Sequence, residues 1–105
     1  MKTLDAQQVY ELLKTVKEGQ VTTYGDLAKA LGHPGAARAI GQIMNKNPNP
    51  FVVPCHRVVS SDGSIGGYAF GTRMKKEILA KEGLGFEGDM IKEFEKKRAV
   101  LKRSA

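Results

Sequence analysis

A single cysteine, Cys55, in a chain of 105 residues removes two of the devices that hold small domains together. There is no second thiol for a disulfide. With only two histidines, His33 and His56, a structural zinc site cannot be completed. The fold must therefore rest on an apolar core, and 41% hydrophobic with 27% charged residues permits a modest one in a single domain. No apolar run approaches the ~20 residues that span a bilayer, and Met1-Lys2-Thr3-Leu4-Asp5 lacks the apolar stretch of a secretory signal. No membrane association is expected, and a reducing location, cytoplasmic or nuclear, is. The lone thiol itself is either a buried, inert core residue or a reactive nucleophile.

Val9, Leu12, Leu13 and Val16 recur at helical spacing between a possible Asp5 cap and Gly19, which predicts a helix over residues 6–18. Thr23 stands three residues before Asp26 in a capping-box-like arrangement, opening a short helix through Leu27, Ala28 and Leu31 that stops at Gly32. After a turn at His33-Pro34-Gly35, a third helix is predicted from Ala36 to Lys46, ended by Asn47-Pro48-Asn49-Pro50. Two short helices joined by a glycine-containing turn have the outline of a helix-turn-helix, which many helical domains without a DNA role also share. The small residues Ala36, Ala37, Ala39 and Gly41 would let the second helix approach another surface closely, with Arg38 projecting from it. An excess of 17 basic over 11 acidic side chains favours a polyanionic partner, although a solvated lysine-rich surface has the same composition.

Phe51-Val52-Val53 and Val58-Val59 are β-branched runs that suggest a small hairpin or wing around Pro54-Cys55-His56-Arg57, with a turn at Ser61-Asp62-Gly63. A glycine-rich loop, Ile65 to Gly71, precedes a helix carrying Met74, Ile78 and Leu79 and ending at Gly83. A last, basic helix candidate holds Lys92, Lys96, Lys97, Arg98, Lys102 and Arg103, with Met90, Phe94 and Leu101 as a sparse apolar stripe. In the 54–57 segment a thiol lies beside an imidazole and a guanidinium, an electropositive setting of the kind that activates cysteine. Neighbours in an extended chain face opposite ways, so Cys55 and His56 need a bent backbone or a bridging water to communicate.

Pro54-Cys55-His56-Arg57-Val58 resembles the signature of the O6-alkylguanine-DNA alkyltransferases. The likeness continues, in the family's order, through residues 21–28, residues 36–41, Asn47-Pro48, Gly66-Gly67-Tyr68 and residues 80–83, covering roughly residues 7–86. The resemblance implies a mainly α, winged-helix-like helix-turn-helix domain with a short β-hairpin or wing beside the active-site loop. Residues 1–88 would form the catalytic and DNA-binding domain and residues 89–105 a basic C-terminal helical extension. It implies that Cys55 accepts the alkyl group, that His56 activates it through a water, and that Glu82 orients the imidazole. Asn47 would brace the active-site turn and Tyr24 would donate a hydrogen bond to guanine N3. The reaction needs the lesion flipped out of the duplex. Arg38 would fill the vacancy, with Ala36, Ala37, Ala39, Gly41, Thr23 and Arg57 on the DNA-binding side. Val53, Pro54, Val58, Ser60, Gly66, Gly67, Tyr68 and Ala69 would line the pocket.

The implied activity is a single, irreversible transfer from O6-alkylguanine in double-stranded DNA to Cys55, by a monomer, with no cofactor or metal. Two departures stand out. The match begins within the first ten residues, so the N-terminal domain common in the family would be missing, and the basic tail would compensate by contacting phosphates or covering surface. Ala69 stands where the family often has serine, which would weaken one hydrogen bond to guanine O6. The rival reading is an alkyltransferase-like sensor that flips the lesion and recruits other factors; in that class the acceptor cysteine is typically replaced, often by tryptophan, whereas this chain keeps Cys55 and has no tryptophan. A plain helix-turn-helix transcription factor would have no use for the catalytic signature.

Overall fold

Asp5 opens the first helix by accepting a hydrogen bond from the Gln7 amide at 2.9 Å, and α1 runs over Ala6–Leu13 with Val9, Leu12 and Leu13 turned inward. The computed structural model describes residues 4–47, 52–68 and 70–101. The expected helix over 6–18 is shorter because its end is diverted. Thr15 and Val16 donate to Leu12 and Leu13 in tighter i→i−3 bonds, the Thr15 hydroxyl also donates to the Leu12 carbonyl, and the Val16 carbonyl accepts from Arg57. Val16 is nonetheless buried.

Thr23 caps α2 (Tyr24–Ala30) as its spacing predicts, its hydroxyl accepting from the Asp26 amide at 2.9 Å. α3 (Ala37–Asn45) follows the turn at 31–36 and packs on α2, completing the helix-turn-helix pair. Tyr10 ties α1 to this pair by donating to the Ile43 carbonyl. Pro48, Asn49, Pro50 and Phe51, placed by the sequence in a helix stop and a strand, lie outside the described residues.

Strand β1 (Thr22–Thr23) pairs in parallel with β2 (Val58–Val59), in the register Thr22 with Val58 and Thr23 with Val59. The pairing differs from the hairpin expected between 51–53 and 58–59, because Cys55–Arg57 form one turn of 3-10 helix between those runs. The short antiparallel hairpin lies further on, between β3 (Phe86–Glu87) and β4 (Met90–Ile91). Successive side chains of β2 face opposite ways and so divide the interior. Val58 joins the core of α1, α2 and α3 around Leu13, Leu27 and Ile40; Val59 joins Ile65, Leu79, Leu84 and Ile91. Burying one such side chain contributes about 1.5–3 kcal/mol, so both faces of this small sheet matter to stability.

α4 spans Thr72–Lys81. The basic helix expected after Asp89 is replaced by β4 and a single turn, α5 (Phe94–Lys97). The reason lies in tertiary partners: Ile91 is buried, and the chain at Lys97–Ala99 runs beside Val21, whose amide donates to the Lys97 carbonyl and whose carbonyl accepts from the Ala99 amide. Lys102 and Arg103 lie outside the described residues. Among the described residues no helix is long and apolar enough to cross a membrane.

Candidate functional site

The 3-10 turn at Cys55–Arg57 provides the bend that an extended chain would deny. It is set by local bonds, Cys55 N to Val53 O at 2.7 Å and Arg57 N to Pro54 O at 2.9 Å. Asn47 braces it from the end of α3, its side-chain amide donating to the Val53 carbonyl at 3.0 Å. Cys55 is buried at the junction of the first core, and His56 is only 2% exposed.

His56 Nε2 lies 3.0 Å from Glu82 Oε2. The same carboxylate receives Arg57 through two bonds, Nε to Oε1 at 3.0 Å and a terminal guanidinium nitrogen to Oε2 at 2.8 Å. Burial would raise the Glu82 carboxyl, but the hydrogen bonds from Arg57 and His56 overcome it and hold the group below its ordinary value. Burial lowers His56, outweighing the pull of Glu82, and the Arg57 and Lys75 charges lower it further. The imidazole is thus held neutral, as a base must be. Arg57, expected among the DNA contacts, turns inward instead: its guanidinium is held by Glu82 and by the Val16 carbonyl, which leaves it a strut of the site.

An open cleft of about 580 Å³ lies between α2, α3 and the glycine-rich loop, lined by Tyr24, Ala37, Arg38, Gly41, Gln42, Asn45, Gly67 and Tyr68. Tyr24 rests against α3; a Cβ at Gly41 would sit 3.9 Å from its ring. Arg38 is exposed at this cleft, and Ala36 and Ala39 flank it, half-buried. Burial raises the phenols of both Tyr24 and Tyr68, the two aromatic walls of the cleft, and both rings pack against the core cluster that contains Cys55. The Tyr68 hydroxyl is shielded from solvent without a hydrogen-bond partner among the described residues.

Other expected residues stand elsewhere. Thr23 is 1% exposed with its hydroxyl engaged in the α2 cap, so it does not present itself to DNA. Val53, Pro54 and Val58 are buried behind the site, and with Ser60 and Gly66 they are not among the residues lining the cleft. Gly66 shapes the loop all the same: its φ of +71° suits glycine, and a Cβ there would meet the Ser60 hydroxyl at 3.1 Å. Ala69, the position of the serine departure, lies outside the described residues.

Lys75 escaped the sequence reading. It is fully buried on α4, and its ammonium donates to the Val58 carbonyl at 2.7 Å and the Gly67 carbonyl at 2.9 Å, fastening the β2 strand to the cleft loop. Burial lowers its pKa to about 8 despite the opposing attraction of Cys55, so at neutral pH it is largely a cation near the thiol. A lysine four residues before Leu79, on the inward stripe of α4, is the signal that marks it.

The family model for the 6-O-methylguanine DNA methyltransferase DNA-binding domain matches residues 5–84. The methylated-DNA--protein-cysteine methyltransferase of Homo sapiens is 49% identical over 77 residues, 73% of this chain and 37% of the relative. That of Shigella flexneri is 48% identical over 77 residues, again 73% of this chain and 45% of the relative, so the chain spans about two fifths of the length of such relatives. Among solved structures, Mycobacterium tuberculosis OGT in complex with DNA superposes with a TM-score of 0.72 at 39% identity, covering 78% of this chain and 51% of that one. S. pombe ATL in complex with DNA gives 0.76 at 29% identity, covering 90% of this chain and 94% of that one.

Proposed function

The chain belongs to the family of 6-O-methylguanine DNA methyltransferase DNA-binding domains, and from that premise we propose that it repairs O6-alkylguanine in double-stranded DNA by taking the alkyl group onto Cys55. The observation that carries this reading is the bent turn that joins Cys55 to an imidazole held 3.0 Å from a largely buried carboxylate, with Cys55 in the core cluster against which the cleft walls Tyr24 and Tyr68 pack. In the proposed reaction α3 approaches the minor groove, Arg38 enters the stack, and the alkylated guanine swings into the cleft.

The Cys55 proton passes to neutral His56 through a water, leaving an imidazolium that Glu82 stabilises. The sulfur then bonds to the alkyl carbon as the bond to O6 breaks, and the electron pair moves into the purine. Tyr24, donating to N3, neutralises that charge, and the Tyr68 hydroxyl finds its partner on the bound base. The product S-alkylcysteine has no route back, so each molecule acts once, without cofactor or metal. The protein works as a monomer inside the cell, where a lone thiol stays reduced.

A lesion-binding sensor is the second reading, favoured by the near full-length likeness to S. pombe ATL. The intact thiol, imidazole and carboxylate favour transfer. Stoichiometry separates the two: with excess methylated duplex, restored guanine should plateau at one equivalent per protein and vanish after pretreatment with iodoacetamide. Tight lesion binding with no guanine restored establishes the sensor.

A further inference from the structure

We propose that Arg98 is a positioning residue for Tyr24: the C-terminal segment straps the first turn of α2 and thereby sets where the phenol stands in the cleft. The proposal rests on the reading in which Tyr24 meets the flipped base. The strap lies outside the family match, which ends at residue 84. Arg98 grips Asp26 with both arms of its guanidinium, Nε to Oδ2 at 2.7 Å and a terminal nitrogen to Oδ1 at 2.9 Å. This is the fork-to-fork geometry that fixes orientation as well as distance.

The grip is itself held on three sides. Glu95 accepts from Arg98 at 3.2 Å, the Phe94 ring lies 5.3 Å beneath the guanidinium, and the backbone on either side of Arg98 bonds to Val21. A cation engaged on both arms by Asp26 acts as an anchor rather than a phosphate ligand, contrary to the role a basic tail suggests by composition. Asp26 sits two residues beyond Tyr24 in the same helical turn, and its amide is the one that Thr23 caps. Val21 leads directly into β1 and that cap. The tail therefore holds the chain just before Tyr24 through Val21, and just after it through Asp26. The phenol between those two points faces α3 and the cleft.

The turn that carries the reacting thiol is held by contacts of its own, Asn47 on the Val53 carbonyl, Glu82 on His56 and Lys75 on the Val58 carbonyl. Loss of the strap should therefore affect transfer and leave the intrinsic reactivity of the thiol alone. The test is a double-mutant cycle on the full chain. With saturating O6-methylguanine duplex, Arg98→Met should slow transfer about tenfold while Cys55 reacts with iodoacetamide at the wild-type rate. In a Tyr24→Phe background the same change should cost less than about twofold. The swap Asp26→Arg with Arg98→Asp should restore most of the loss, and Arg98→Lys, the milder variant should Arg98→Met fail to fold, should fall between.

In the free protein, Arg98→Met should also shift the Tyr24 ring resonances, a readout independent of chemistry. A folded wild type that transfers no methyl defeats the proposed function, and the ring shift then decides the strap by itself. An unmoved Tyr24 ring, an undiminished penalty in the Tyr24→Phe background, or an equal loss of iodoacetamide reactivity overturns the positioning role.

Discussion

Replacing Glu82 with alanine should lower the melting temperature by more than about 10 °C and slow alkyl transfer at least about 100-fold. The carboxylate is the shared acceptor for His56 and for both arms of Arg57, and the three side chains are between 2% and 14% exposed. Removing it leaves the Arg57 cation nearly buried without its counter-charge, which costs about 3–5 kcal/mol. At about 4–8 °C per kcal/mol for a domain of this size, the fall is large. The kinetic loss follows because an unoriented imidazole forfeits general-base catalysis worth about 10²–10⁴.

The same variant alters the response to acid. Glu82 and His56 both titrate below their ordinary values of 4.5 and 6.5 in the folded protein, so the unfolded chain binds protons first. Each contributes stability that is present above its ordinary value and is lost as pH falls through the folded one. Wild-type stability should therefore decline below pH 6.5 and more steeply below 4.5. Glu82→Ala should show a shallower second fall, with Asp62, also held below its ordinary value by the hydrogen bonds from Ser64, still contributing. Circular-dichroism melts across that range check it, and parallel curves for the two proteins would contradict the pairing.

Arg38→Ala should slow repair of duplex DNA about 30- to 100-fold yet change the reaction with free O6-methylguanine by less than about twofold. Extruding a base costs a few kcal/mol, and a side chain that fills the gap offsets part of it; 2–3 kcal/mol corresponds to that range. Arg38 is exposed at the cleft and lies on the helix whose small residues permit close approach. Parallel single-turnover assays on the two substrates check it. Equal losses on both would mean that Arg38 serves the chemistry or the fold rather than extrusion.

Much of this molecule is legible from short-range signals. The Thr23 cap and the small-residue helix carrying Arg38 are local, and their spacing sufficed; at Cys55 and His56 the sequence allows either a bent backbone or a bridging water, and the 3-10 turn supplies the bend. What escaped depends on partners far away in the chain. Arg57 looks like a free cation until the Val16 carbonyl, 41 residues earlier, and Glu82, 25 later, are folded against it. Val58 and Val59 suggest a hairpin with the preceding run, but their actual partner strand lies at residues 22–23 and runs parallel. The tail reads as a basic helix because its lysines mask the buried Ile91 and because Asp26, 72 residues away from Arg98, is invisible to any local window. Lys75 is the instructive intermediate case, a charge on an apolar stripe that periodicity exposes once it is sought.

The central claim is that a carbon–sulfur bond forms at Cys55. Intact-mass measurement after incubation with an oligonucleotide containing O6-methylguanine tests it most directly. A gain of about 14 Da, one methyl in place of a proton, is predicted for the wild type and none for Cys55→Ser. An unchanged mass in a folded, lesion-binding protein, or the same gain in Cys55→Ser, would contradict it.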